Sequence, residues 1–172
     1  MISGFDYGTS NCALGVINST TQKAQLLPLE NDHYFLPSAL YALGRELVCE
    51  QVASGITNQI IHREYLQSRN ASLSAAKQFR RKESIGQDEQ SLFFGQQAFD
   101  NYFDLPGEGY FVKSPKSFLG ASGLRVEHIR FFEDLVTAMM MHVKQRAEAQ
   151  CQTALTDTVI GRPVNFQGLN SD

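Results

Sequence analysis

The first seventeen residues carry the pattern that most restricts the fold. An apolar-rich run at residues 2–6 ends at an aspartate, residues 8–10 read Gly-Thr-Ser, and a second apolar-rich run fills residues 12–17. A connection this short can join only antiparallel neighbours, so the pattern predicts a β-hairpin. Its tip carries a carboxylate, hydroxyl groups and free backbone N–H groups, which together can bind an anion. The same residue types are common in ordinary turns, so the tip alone leaves both interpretations open.

The residues that follow predict a mixed α/β domain. Turn residues at 18–22 and a third strand at 23–29 extend the hairpin to a three-stranded antiparallel meander. Residues 36–41 read as a short extended segment, because a proline favours extended backbone in the residue before it. Helical spacing of apolar residues begins near residue 47. The polar stretch 69–90 then predicts a surface helix or a mobile loop.

A long amphipathic helix is the clearest element of the second half of the chain. Residues 91–95 predict a short strand and residues 96–103 a short helix. Across residues 126–150, apolar side chains recur every three or four positions and form one stripe: Ile129, Phe132, Val136, Met139, Val143 and Ala147. An apolar run then predicts a strand near residues 158–163. A helix between two strands makes a crossover, so we expect this strand to lie parallel to the first.

Composition indicates a soluble protein of the reducing compartment. A hydrophobic content of 42% and a charged content of 19% are typical of a globular domain. The net charge of -3 gives no general case for nucleic acid or membrane partners, which are both anionic. The strand starting at Ile2 leaves no room for a signal peptide. Cys12, Cys49 and Cys151 are widely spaced and odd in number, which indicates free thiols. We therefore expect a cytoplasmic protein.

Other chemically notable residues have structural interpretations. The four histidines lack the spacing of ligand pairs, and a zinc site needs about four convergent ligands, so we interpret them as core or surface residues. The methionines at 139–141 favour core packing over a promiscuous binding surface. Arg80, Arg81 and Lys82 predict a solvated helix face or loop, with a docking patch as the alternative.

Five short segments occur in a characteristic order. They are 4–11 (Gly-Phe-Asp-Tyr-Gly-Thr-Ser-Asn), 36–40 (Leu-Pro-Ser-Ala-Leu), 94–98 (Phe-Gly-Gln-Gln-Ala), 116–120 (Lys-Ser-Phe-Leu-Gly) and 159–166 (Val-Ile-Gly-Arg-Pro-Val-Asn-Phe). In this order they resemble the first phosphate motif and four later segments of the DnaK-type chaperones, the seventy-kilodalton heat-shock family. Within that family the chain is most similar to the YegD-like divergent bacterial proteins. The resemblance implies a ribonuclease-H-like, actin-like ATPase fold.

The resemblance also implies ATP and Mg²⁺ as cofactors and assigns roles to individual residues. Asp6 would organise the hydration shell of Mg²⁺. Lys116 would reach the γ-phosphate and help to place the attacking water, with Lys113 as the alternative lysine. The residues implied to contact the β- and γ-phosphates are Gly8, Thr9, Ser10 and Asn11.

The second phosphate loop and the adenosine-binding part of the family have no counterpart in this sequence. We therefore expect residues 1–172 to be the N-terminal lobe, or first half, of an actin-like nucleotide-binding domain, with a helical insertion at residues 43–90. Such an incomplete domain should expose a sheet edge through which copies could self-associate. The expected partners are a nucleotide and unfolded or client proteins.

Three functions remain open from the sequence. The first is a chaperone-like ATPase, whose parent protein hydrolyses ATP while this chain alone is inactive. The second is a small-molecule kinase, such as a sugar kinase, on the same scaffold. The third is an interaction module that binds a partner and no nucleotide.

Overall fold

The computed structural model describes residues 1–18, 20–118, 123 and 125–161. This part of the chain contains eight strands and five α-helices. In order they are β1 (Ile2–Tyr7), β2 (Asn11–Ile17), β3 (Ala24–Leu26), β4 (Leu36–Pro37), β5 (Ala39–Ala42), α1 (Leu47–Gly55), α2 (Gln59–Ser68), α3 (Asn70–Lys82), β6 (Leu92–Phe94), α4 (Gln96–Asp104), β7 (Tyr110–Lys113), α5 (Val126–Cys151) and β8 (Asp157–Ile160). A 3₁₀ turn, Pro115–Phe118, lies between β7 and α5.

The larger sheet is mixed, as the sequence predicts. Strands β1, β2 and β3 form the antiparallel meander, although β3 is shorter than the predicted 23–29. Strand β8 lies beside β1 and runs parallel to it, with Ile2 opposite Asp157, which confirms the predicted crossover. The order within the described residues is β3-β2-β1-β8, and the short β4 adds to β2 next to the hairpin tip.

A second, three-stranded sheet has the order β6-β5-β7 and is antiparallel throughout. Strands β5 and β6 fall within segments that the sequence pattern predicts as extended, whereas β7 was not predicted. Helix α4 packs on one face of this sheet, where Tyr41, Phe93, Phe99 and Phe111 cluster around Ala98. The chain therefore has a mixed α/β fold.

The hydrophobic core joins one face of the larger sheet, α5 and α1, and it includes side chains of the second sheet. Side chains alternate along β1, so Ser3, Phe5 and Tyr7 are buried while Asp6 lies on the opposite, exposed face. On α5 the buried positions run from Asp134 to Ala147, and the first turns of the helix are exposed. The predicted apolar stripe is therefore wrong at Ile129, which is 44% exposed.

Three helices, α1 to α3, occupy most of residues 43–90. The loop alternative for 69–90 is wrong for residues 70–82, which form α3. The solvated interpretation of 80–82 is wrong for Arg80, which is 6% exposed and bonds Glu50 at 2.6 Å. Its other guanidinium nitrogens donate to the Gly86 carbonyl and to the Ser91 hydroxyl. A charged side chain can be buried when it is paired in this way.

The three consecutive methionines at 139–141 pack against the core, as the sequence predicts. Met139 is fully buried, and its two neighbours are partly buried against the core. His142 stacks on Phe94 with ring centroids 4.3 Å apart, and the described residues contain no cluster of metal-ligating side chains. In the described ranges, no helix combines the length and the apolar character that crossing a bilayer requires.

Candidate functional site

The tip of the β1–β2 hairpin is a tight turn that requires glycine at its first position. The Gly8 N–H donates to the Asn11 carbonyl at 3.0 Å, which closes the turn. A Cβ atom added to Gly8 would overlap that same carbonyl oxygen. Close approach of two backbone segments is a common reason for glycine in a turn. The side chains of Thr9 and Ser10, like that of Asn11, are exposed at the tip.

Asp6 lies at the end of β1, next to this turn. It is opposite Ala13 in the strand register, on the face away from α5. Its side chain is exposed to solvent. The structure therefore places the predicted carboxylate beside the predicted hydroxyl and N–H groups, at one end of the sheet.

Lys116 reaches the hairpin from the 3₁₀ turn that follows β7. Its ammonium group donates a hydrogen bond to the Tyr7 carbonyl, 109 residues away in sequence. The same nitrogen lies 5.9 Å from the centre of the Tyr7 ring. Lys113, the alternative lysine, is exposed on β7 opposite Ala39, and no hydrogen bond joins it to the hairpin in the described part of the chain.

Ser38 links the hairpin to the segment that carries the lysine. It lies between β4 and β5 and is 1% exposed. Its hydroxyl donates to the Gly8 carbonyl at 2.8 Å, and its N–H donates to the Ser10 carbonyl at 2.8 Å. Its own carbonyl accepts from the Ser114 N–H at 2.7 Å. No role for Ser38 was predicted from the sequence, where its only signal is the resemblance of the Leu-Pro-Ser segment.

The pKa of the Cys12 thiol depends on burial and on charged groups near the tip. Burial raises its pKa to about 11, and the Asp6 carboxylate adds to the increase. A hydrogen bond with Ser38 and the nearby Lys116 ammonium act in the opposite direction. Asp6 and Lys116 thus act on the pKa of this thiol in opposite directions.

Tyr7 has a buried hydroxyl with no hydrogen-bond partner in the described residues. Its ring stacks on Phe5, and burial raises the pKa of the phenol well above its usual range. The backbone of Tyr7 contacts the lysine, while its side chain belongs to the core. Its role at the site is therefore through the carbonyl oxygen.

The residues at the tip fit Mg²⁺ only through water. Asp6 is a single carboxylate, and the described residues hold no group of three His, Cys, Asp or Glu side chains able to ligate a metal. Mg²⁺ keeps several waters and commonly binds proteins through one or two carboxylates plus substrate phosphates. The exposed Asp6 beside the turn fits this mode of Mg²⁺ binding.

The remaining motif segments have mainly structural contacts where they are described. The Glu30 carboxylate accepts from the Gln96 N–H at 3.0 Å and thereby caps α4. Gly95 has a φ of 60°, and a side chain there would collide with that carboxylate and with Leu36. Residues 159–160 belong to β8; residues 162–166 and 119–120 lie outside the described residues.

No known family model matches this chain. The placement of the site therefore depends on the contacts among the hairpin tip, Ser38 and Lys116.

Proposed function

We propose that this chain is part of an ATP-binding, chaperone-like ATPase of the DnaK type, and that the β1–β2 tip binds the phosphates. The observation that carries the proposal is the hydrogen bond from the Lys116 ammonium to the Tyr7 carbonyl. It places a cation against a turn that presents exposed hydroxyl groups and, on one flank, a carboxylate. A cation, N–H groups and a carboxylate suited to hydrated Mg²⁺ are the groups that a nucleoside triphosphate requires.

The topology supports an actin-like architecture for the domain. An antiparallel meander, β1 to β3, is followed by a long helix, α5, and a strand, β8, that returns parallel to β1. Residues 1–172 would form the first half of such a domain, and α1 to α3 would be the inserted helices. Free cysteines within the described residues fit the proposed cytoplasmic location.

The residues would act by position and charge. Thr9, Ser10 and Asn11 would donate to phosphate oxygens, and Gly8 would allow the close approach. Asp6 would hold Mg²⁺ through its waters, and the metal would neutralise phosphate charge when bound. Lys116 would stabilise charge on the terminal phosphate, and no covalent intermediate is required.

Binding by this chain should be weak and located at the tip. The described residues supply one phosphate turn and one lysine, so we expect a Kd in the millimolar range, about -4 kcal/mol. Titration of the ¹⁵N-labelled chain with Mg-ATP should shift the amide signals of residues 8–11. Unchanged amide signals at the tip, at any attainable concentration of Mg-ATP, would contradict the proposal. Micromolar affinity would contradict the expectation of a half-site.

Two lysines of the same segment provide a matched comparison. Lys116→Ala should weaken binding of Mg-ATP by about tenfold, the loss of a charge-assisted contact. Lys113→Ala should leave the affinity unchanged, because that side chain points to solvent on β7. Equal effects of the two substitutions would show that general charge, and not the position of Lys116, accounts for binding.

A second comparison separates the metal from the phosphate contacts. Asp6→Asn should remove most of the difference between titrations with ATP alone and with Mg-ATP, while the phosphate-induced shifts at residues 9–11 persist. A variant that keeps the full Mg²⁺ dependence would remove Asp6 from the proposed site.

A further inference from the structure

Ser38 uses every one of its polar groups at the candidate site. Its N–H and hydroxyl donate to the carbonyls of Ser10 and Gly8, and its carbonyl accepts from Ser114, all between 2.7 and 2.8 Å. One buried residue thus bonds both the hairpin tip and the start of the turn that carries Lys116. Buried polar groups bonded in this way fix local geometry.

We infer that Ser38 is a positioning residue that aims the phosphate-binding amides of the tip and aligns them with Lys116. The inference rests on the proposed function of the hairpin. In a trans peptide the C=O of one residue points opposite to the N–H of the next, and the described chain has no cis peptide bonds. The carbonyls of Gly8 and Ser10 both point toward Ser38, because both accept hydrogen bonds from it. The N–H groups of Thr9 and Asn11 therefore point away from Ser38.

The third bond of Ser38 sets the position of the lysine. Ser114 has a φ of 57°, in the left-handed region that non-glycine residues rarely adopt. Its N–H is held by the Ser38 carbonyl, and its own carbonyl accepts from Ser117 at 2.9 Å to begin the 3₁₀ turn. Lys116 lies inside that turn. The same residue thus fixes the direction of the amides and the place from which the ammonium group reaches them.

Cys12 completes the arrangement from the core side. Its sulfur lies 3.4 Å from the Ser38 hydroxyl oxygen, and the residue is fully buried. The hydroxyl has one proton, which it donates to Gly8, so it can accept from the thiol. Burial raises the thiol pKa to about 11, which keeps the thiol protonated and able to donate. The Cys12 thiol donates to the Ser38 hydroxyl, which donates to the Gly8 carbonyl, and these two bonds hold the hydroxyl in one orientation.

A matched pair of serines tests this inference. Ser3 is also buried in the larger sheet, at 3% exposed, and its hydroxyl bonds Thr158 at 2.8 Å at the end of β1 away from the tip. Ser38→Ala and Ser3→Ala each remove one buried hydroxyl and should cost similar stability. We expect only Ser38→Ala to weaken Mg-ATP binding, about three- to tenfold, the effect of one hydrogen bond. Ser38→Thr keeps the hydroxyl and should recover most of that loss.

The link to Lys116 is measured by combining substitutions. If Ser38 aligns the lysine, Lys116→Ala should weaken Mg-ATP binding less in the Ser38→Ala background than in the native chain, because the lysine is already misplaced. Additive effects, or an equal loss of affinity in Ser3→Ala, would overturn the positioning role.

A nucleotide-free measurement separates this inference from the proposed function. Hydrogen exchange should speed up together at residues 8–11 and 114–118 in Ser38→Ala, and at neither segment in Ser3→Ala. Exchange that changes at only one of the segments would overturn the inference even if Mg-ATP binds. If the native chain binds neither Mg-ATP nor inorganic tripolyphosphate, the proposed function fails, and the exchange experiment still decides whether Ser38 couples the two segments.

Discussion

Removal of the Arg80 guanidinium should be among the most destabilising single changes in the helical region. The side chain is 7% exposed and pairs with Glu50, whose side chain is 24% exposed, at 2.6 Å. Breaking a buried ion pair from one side costs about 3–5 kcal/mol, because the remaining charge has lost its partner. Glu50 can recover some hydration, so we expect Arg80→Ala to lower the free energy of unfolding by about 3 kcal/mol.

The neighbouring residue supplies the control. Arg81 is exposed, and Arg81→Ala should change the free energy of unfolding by less than about 0.5 kcal/mol. Urea denaturation of both variants measures the difference, and in a thermal scan Arg80→Ala should melt about 6–12 °C lower. The double variant Arg80→Met with Glu50→Leu should recover part of the loss, since it removes both charges. Equal stabilities of Arg80→Ala and Arg81→Ala would refute the buried-pair argument.

Three further substitutions test local features. Gly8→Ala should lower the free energy of unfolding by about 2 kcal/mol and disorder the tip, because the added Cβ overlaps the Asn11 carbonyl. Faster hydrogen exchange of the amide at residue 8 would show this disorder. Tyr7→Phe should raise the free energy of unfolding measured in urea by about 1 kcal/mol, since it removes a buried hydroxyl that has no partner in the described chain. A loss of stability would contradict the absence of a hydrogen-bond partner. Burial, and to a smaller extent repulsion from Arg146, lowers the pKa of His142 to about 4. Below pH 6.5 the imidazole of the unfolded chain therefore binds a proton more readily than that of the folded chain. Stability should therefore fall by roughly 2–3 kcal/mol from pH 6.5 to pH 4, and His142→Gln should flatten that slope.

Elements defined by local pattern were predictable from the sequence. The hairpin, α5 and the parallel return of β8 follow from apolar spacing and from the length of the connections. Strand β7 was not predictable from the sequence, because it has only four residues and is defined by its pairing with β5. The burial of Arg80 was also not predictable, since its partner Glu50 lies in α1 and its partner Ser91 lies just before β6.

The candidate site was likewise only partly predictable from the sequence. The groups at the tip could be read from residues 6–11, because they are contiguous. The approach of Lys116 could not be derived from spacing, since 109 residues separate it from Tyr7, and only the resemblance suggested it. The role inferred for Ser38 depends on the directions of three hydrogen bonds, which no pattern of residue types encodes.

The parallel pairing of β1 with β8 has a consequence for synthesis of the chain. Strand β1 leaves the ribosome 155 residues before the strand with which it pairs, β8. At about 5–20 residues per second, that interval lasts roughly 8–30 s. Isolated hairpins are marginally stable in water, so during this time one edge of β1 and its apolar residues remain unprotected. Translation speed between the two strands thus sets how long the nascent chain is vulnerable to aggregation.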